Sequence, residues 1–252
     1  MLKEIVIAIQ SFSEVNRFIQ KHKLWKWIIV PGIIYALLFI VSMYFFGSSA
    51  THVIDYLTTT TGLGDRLQKF QNSWIGFLFT FAGIILWLLL MQFYFSLFKY
   101  LILIIGSPVF AYLSEKTQVI LENKEQDINW ADLRKDAWRG TKLVCRNVLW
   151  QTFFFVILLL LTLLPIAGWI TPLIALFLEC YYYGFSMFDY SCARQNISSK
   201  ESIDFAGKHK GLAIGNGLVF YLMHGLIGIG WVLAPAYAVI AANISFYKVK
   251  NV

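Results

Sequence analysis

From Met1 to Gln20, the apolar residues Leu2, Ile5, Ile9, Phe12 and Ile19 recur near helical spacing among Lys3, Glu4, Gln10, Glu14 and Arg17. One apolar and one charged face predict an amphipathic helix lying along a membrane interface. Its apolar stretch from Ile5 to Ile9 is too short for a signal-peptide core, so this segment is expected to stay in the mature protein. Leu24 to Phe46 follows, predominantly apolar and opened by Trp25 and Trp27. As a helix it is about 34 Å long, enough for a hydrocarbon core about 30 Å thick, with the tryptophans at interface depth. A Thr-rich polar loop is predicted from Gly47 to Ser73, containing Gly62-Leu63-Gly64-Asp65. A second crossing then starts at Trp74 and runs to roughly Ile105, with Lys99 suggesting that its lipid-embedded part ends near Ser96.

Gly106-Ser107-Pro108 reads as a break followed by an N-cap and a first-turn proline. It begins a polar helix whose exposed half is expected to carry Glu115, Lys116, Glu122 and Lys124, within the longest soluble-looking stretch, Ala111 to Val148. The last two apolar regions, Val148 to Phe188 and Leu212 to Tyr247, are each too long for one crossing. Each is broken at its middle, the first by Leu-Pro-Ile-Ala-Gly-Trp-Ile-Thr-Pro (Leu164 to Pro172) and the second by Gly225, Gly228 and Gly230. Arms of about 15 to 17 residues reach only about 22 to 25 Å, short of the core, and the turns lack the charges of a turn emerging into water. Two re-entrant helical hairpins are expected in preference to four short crossings.

Composition sharpens this reading. The chain is 58% hydrophobic and 14% charged, against soluble averages of about 45–50% and about 25%. A single all-α membrane domain over residues 1–252 is expected: two long transmembrane helices, two half-penetrating hairpins and the N-terminal amphipathic helix. The net charge of +7 comes from bases interleaved with acids between apolar runs, which points to membrane topology and away from a nucleic-acid surface. Arg134, Lys135, Arg139, Lys142 and Arg146 cluster in the 111 to 148 segment, whereas Arg66 and Lys69 are the bases of the 47 to 73 loop. The positive-inside rule therefore puts both termini and the 111 to 148 segment in the cytoplasm and the 47 to 73 loop outside. Cys145, Cys180 and Cys192 are odd in number and lack metal-ligand spacing, so they read as packing residues rather than a disulfide framework or zinc site. No cofactor is implied.

Several residues stand out chemically. Thr171-Pro172 is an N-cap and first-turn proline at the middle of the first hairpin, so the free amides and positive dipole end there, with Gly168 just before, point into the membrane. Such an end suits an anion; it is equally a Pro/Gly turn that lets the hairpin fold. Glu179 lies in apolar surroundings, where a central carboxylate costs about 2.5 to 3.5 kcal/mol on insertion scales and usually has a task or a partner. Gln92, Ser96 and Lys99 share a face of the second crossing and are candidate partners, so Glu179, with Lys99 and Gln92, has a pathway or coupling role, a structural hydrogen bond, or a solvated place near the interface. His224 reads as a packing histidine before a ligand. Gly207, Gly211 and Gly215, four apart, favour close helix packing or homo-oligomerisation. Lys23 and Lys26 at the start of the first crossing serve either topology and phospholipid contact or anion gathering. Phosphate-binding Gly-Lys-Ser/Thr loops, His-Glu-x-x-His helices and Gly-x-Ser-x-Gly elbows are missing from the sequence, so ATP-driven pumping and the common hydrolase chemistries lack their parts.

The order of elements and several local runs resemble the CysZ sulfate-transporter family, which also includes the etoposide-induced-protein type of membrane protein. The runs are KLWKWIIVP (Lys23 to Pro31), GSPVFAYLSEKTQ (Gly106 to Gln118), LPIAGWITP (Leu164 to Pro172), FDYSCARQN (Phe188 to Asn196) and WVLAPAYAVIAA (Trp231 to Ala242). The resemblance implies two long crossings plus two half-penetrating hairpins, and passive or ion-coupled sulfate uptake across a bacterial inner membrane for sulfur assimilation. One departure matters. Where the family has a Gly, an apolar residue and two Arg, this chain has Lys23, Leu24, Trp25 and Lys26. Lys26 keeps a cation in register, but as a point charge without the bidentate fork of Arg. Sulfate or a related oxyanion and membrane lipid are thus the expected partners. A non-transporting membrane protein acting through protein or lipid partners is the alternative, and a membrane-embedded enzyme lacks a catalytic constellation.

Overall fold

A computed structural model describes residues 1–60, 74–123, 130–162, 167–226 and 228–250, and the regular elements among them are all helical. Helices α1 (Leu2–His22), α2 (Trp25–Thr60), α3 (Trp74–Ile105), α4 (Ser107–Leu121) and α5 (Trp130–Thr162) precede a 3-10 turn at Ala167–Ile170. After it come α6 (Thr171–Arg194), α7 (Ser199–Lys208), α8 (Lys210–His224) and α9 (Ile229–Lys250).

This is a multi-pass integral membrane protein. Among the described residues, Trp25–Phe46, Trp87–Ile105, Trp130–Leu161 and Ile229–Lys250 are helical stretches long and apolar enough to cross a bilayer. Val30 is 61% exposed, Leu149 71% and Leu160 61%, while Lys99, Glu179, Asp189 and Asn216 are buried. Such an inversion of the soluble pattern is stable where the surrounding medium is itself apolar.

Local chemistry sets the helix limits. Lys23 ends α1 in the left-handed conformation (φ 54°, ψ 40°), its amide donating to the Ile19 carbonyl, a helix-terminating geometry. The predicted polar loop starts later than expected, because α2 continues past Phe46 through Gly47 and His52 to Thr60. Ser, Thr and His are weak helix formers but do not stop a helix already propagating, and one glycine costs only about 1 kcal/mol. The rest of that loop, including Gly62-Leu63-Gly64-Asp65, Arg66 and Lys69, lies outside the described residues, as do Lys124 and residues 164–166 of the Leu164 to Pro172 run. The two breaks in the last apolar regions fall at the Pro/Gly runs: α5 gives way to α6 between Thr162 and Thr171, and α8 to α9 between His224 and Ile229. Gly228 has φ +84° there, a conformation that side chains rarely adopt,.

The chain divides into two compact units. The first comprises Met1–Ala36, Lys99–Gln151 and Phe177–Val252, and in it α1 packs on α8 and α9, α4 on α9, and α7 on α8. The inner face of α1 is Ala8, Ser11, Phe12, Val15 and Ile19, so Phe12 and Ile19 are spent on protein packing while Leu2 and Ile9 remain exposed. Gly211 and Gly215 are where α1 approaches: a Cβ on Gly211 would lie 2.2 Å from the Met1 carbonyl oxygen, whereas Gly207, before the helix break at His209, has open space. A reciprocal contact joins α6 and α8, a Cβ on Gly184 falling 1.9 Å from the Ala213 oxygen and one on Gly217 2.0 Å from that of Cys180. Of the cysteines expected to pack, Cys180 and Cys192 are buried and Cys145 is exposed on α5.

The second unit comprises Leu37–Phe98 and Thr152–Leu176. Its described contacts are aromatic and hydroxylic: Phe46 stacks on Tyr94 at 4.1 Å, Phe93 on Phe155 at 4.5 Å, and Phe39 meets Phe98 edge-on at 5.3 Å. The Ser42 and Tyr94 hydroxyls hydrogen-bond.

Candidate functional site

Inside the first unit, five helices contribute polar groups to the buried interior. Lys99, near the C-terminal end of α3, is 3% exposed, and Glu179 on α6 is 1% exposed. The Lys99 ammonium donates to Glu179 Oε1 and to the Tyr221 hydroxyl of α8. A long apolar helix can carry such a charge because its flexible stem reaches a carboxylate, and each ion offsets the desolvation of the other. Aromatic rings wall the ammonium: Nζ lies 3.7 Å from the Tyr221 ring centroid, 5.9 Å from Tyr183 and 6.0 Å from Phe220. Tyr183 and Phe220 stack on each other at 4.1 Å. His224, one turn beyond Tyr221, hydrogen-bonds through Nε2 to the Tyr35 hydroxyl of α2 at 2.7 Å, and the Tyr100 hydroxyl donates to Gln151 Oε1.

The remaining candidates lie apart from this cluster in sequence. Lys23 and Lys26 are exposed side chains of the first unit, and beside them Trp27 packs on Tyr112 with ring centroids 4.3 Å apart. Gly168 belongs to the 3-10 turn of the second unit and Thr171 opens α6 there, 1% exposed. Gln92 is a partly exposed residue of α3 in that same unit.

A second buried polar group in the first unit escapes the sequence reading. Arg139 on α5 pairs with Asp189 on α6 at 2.8 Å and donates to the Ile197 carbonyl; Ser202 of α7 also donates to Asp189, at 2.7 Å. Arg194 at the end of α6 pairs with Glu115 of α4 at 3.2 Å and with Asp136 of α5. Burial pushes the Glu115 carboxyl above its usual range, against the opposing pull of Arg194,. Asn147 donates to Ser186 at 2.9 Å, and Ser114 to Asn243 at 3.0 Å. Glu115, expected on the exposed half of its helix, is buried; in sequence it and the arginines sit in polar stretches where a solvated side chain is the default, and the signal that was present is Asp189, an acid among Phe188, Tyr190 and Cys192.

This second group gathers Glu115 from the 106–118 run and Asp189 and Arg194 from the 188–196 run, so two short stretches far apart in sequence meet as one ion-paired core. Over residues 11–235 the chain matches the family described as sulfate transporter CysZ/etoposide-induced protein 2.4. No individual curated protein matches it. The match takes in α2 to α8 whole, with the Lys99–Glu179 pair, the Arg139 and Arg194 ion pairs and the breaks before α6 and α9, and the chain therefore belongs to the sulfate transporter CysZ/etoposide-induced protein 2.4 family.

Proposed function

We propose that this protein is a permease for sulfate or a related small oxyanion, bringing it across a bacterial inner membrane for sulfur assimilation. The observation that carries this reading is the buried Lys99 ammonium, held among membrane helices in a chain whose family description names sulfate transport. A central charge costs about 2.5 to 3.5 kcal/mol on insertion scales, and a buried pair is often no better than apolar residues of the same volume. A cation kept under those terms suits a protein that handles anions.

In this reading both termini are cytoplasmic, and the broken apolar regions are hairpins that enter and leave on that side. In the second hairpin the 15 residues of α8 give about 22 Å, against a core of about 30 Å, while its partner arm α9 is longer than the 15 to 17 residues expected and by length and composition could cross. Lys23 and Lys26 concentrate the anion at the start of α2, and the amides near Gly168 and Thr171 offer it a positive helix end. Lys99, Glu179 and Gln92 serve the pathway. The protein acts on no covalent bond. A non-transporting role through protein or lipid partners is the second reading, favoured by Lys23-Leu24-Trp25-Lys26 standing where the resembled family carries paired arginines. Purified protein in sealed liposomes separates them: the permease takes up labelled sulfate above protein-free liposomes, and the non-transporting protein does not.

A further inference from the structure

The permease reading leaves open where the anion is held. Resting on that reading, we propose that Lys99 and the hydroxyl groups around it form an occluded site for a tetrahedral oxyanion, in which the Glu179 carboxylate fills the substrate's place while none is bound.

A carboxylate and a sulfate ask for the same partners, a cation and short charge-assisted hydrogen bonds from N–H and O–H donors. Lys99 supplies the cation through a group with three donor hydrogens, and one of them meets Glu179 Oε1,. Tyr221 adds a hydroxyl that rotates to suit its partner,. One turn along α8, His224 joins the Tyr35 hydroxyl at 2.7 Å, so α8 aligns two hydrogen-bonding side chains on one face. Tyr183, Phe220 and the ring of Tyr221 close the sides. In that buried enclosure the ammonium's field is less screened than in water, and it acts on whichever anion lies beside it,.

Two anions compete for this ammonium. Glu179 is tethered, which gives it a high effective concentration, but it carries one charge on a side chain that can rotate away. Sulfate carries two charges over four oxygens and gains more from the same cation. Arrival of the anion displaces the carboxylate, and return of the carboxylate expels the anion. Such an exchange avoids leaving either a bare buried ammonium or a sulfate bound too tightly to leave.

The test uses the purified full chain with labelled sulfate and three proteins: parent, Glu179→Gln, and the double variant Lys99→Met/Glu179→Gln. Glu179→Gln keeps the side-chain shape and removes the competing charge; the double variant removes both charges and leaves no bare buried ion. Glu179→Gln should bind sulfate about tenfold more tightly or better, with a larger rise in melting temperature on adding sulfate, and its uptake should slow because release is impaired. The double variant should lose binding while melting cooperatively. Equal or weaker sulfate affinity in Glu179→Gln, or parental affinity in the double variant, overturns the site. A parent that transports sulfate while the double variant transports it equally well removes the site but leaves the permease; a parent that neither binds nor transports any oxyanion removes both.

Discussion

Lys99 and Glu179 stand 80 residues apart in sequence, on α3 and α6, yet pair with neither side chain more than 3% exposed. The energetics of such a pair are asymmetric. Removing one partner strands a charge in an apolar enclosure, whereas removing both replaces two desolvated ions with packing. Lys99→Met alone should therefore destabilise the detergent-solubilised protein by about 3 to 5 kcal/mol, while Lys99→Met/Glu179→Met should lie within about 1 kcal/mol of the parent or above it. Denaturant melts of the two variants and the parent check this, and an equal loss in both would show that packing rather than charge governs the site.

The α6/α8 crossing depends on the absence of side chains. A Cβ on Gly184 would meet the Ala213 carbonyl oxygen at 1.9 Å, and backbone cannot move aside as a flexible side chain does. Gly184→Ala should cost at least about 1 to 3 kcal/mol. Gly207 is the internal control, having open space around it in the exposed part of α7. Gly207→Ala should stabilise by about 0.5 to 1 kcal/mol through the backbone entropy that glycine loses on folding. Thermal melts of the two variants should shift in opposite directions.

The burial of Glu115 sets the sign of an expected pH dependence. Burial raises its folded-state pKa, with Arg194 opposing. A group whose folded pKa is raised contributes stability that is fully present below the unfolded value of about 4.3 and is lost as pH rises through the folded pKa. Glu115→Gln removes that loss. The stability difference, parent minus variant, should fall as pH rises from about 4 towards neutrality, and a difference that grows instead would mean that the ion pair to Arg194 outweighs burial.

Much of this fold is legible in the sequence because its governing signals are local. Apolar runs long enough to span lipid are visible one residue at a time, and the Pro/Gly interruptions near Gly168 and Gly228 mark where helices stop. The overshoot of α2 to Thr60 was not legible, since a polar, Thr-rich composition is compatible with either loop or helix once a helix is under way. At the candidate site, the sequence reveals that Glu179 and Lys99 are charges in apolar surroundings that need partners; that each meets the other, and Tyr221 besides, depends on how α3, α6 and α8 pack. Asp189, an acid among Phe188, Tyr190 and Cys192, was a visible signal, but its partner Arg139 and the Arg194–Glu115 pair were hidden because nothing in a polar stretch distinguishes a charge that will be buried.

Topology is open to direct labelling. With the exposed native Cys145 replaced by Ser and the buried Cys180 and Cys192 kept, a cysteine introduced at His52, exposed beyond the apolar part of α2, should react with an impermeant thiol reagent added to intact cells. A cysteine introduced instead at Ala131, exposed at the start of α5, should react only after the membrane is opened. The reverse pattern would invert the orientation given by the positive-inside rule.

Uptake of labelled sulfate by sealed proteoliposomes, measured with the parent and with Lys26→Ala, tests the permease most directly. The parent should accumulate sulfate above protein-free liposomes, with saturation. Lys26→Ala, lacking one charge-assisted contact worth about 1.5 to 3 kcal/mol, should need about tenfold to a hundredfold more sulfate for half-maximal uptake. Lys26→Arg should match or improve on the parent, because a planar fork suits an oxyanion better than an ammonium. Parent liposomes that take up no more sulfate than empty ones would contradict the permease, and saturable uptake with unchanged concentration dependence in Lys26→Ala would contradict the role given to the start of α2.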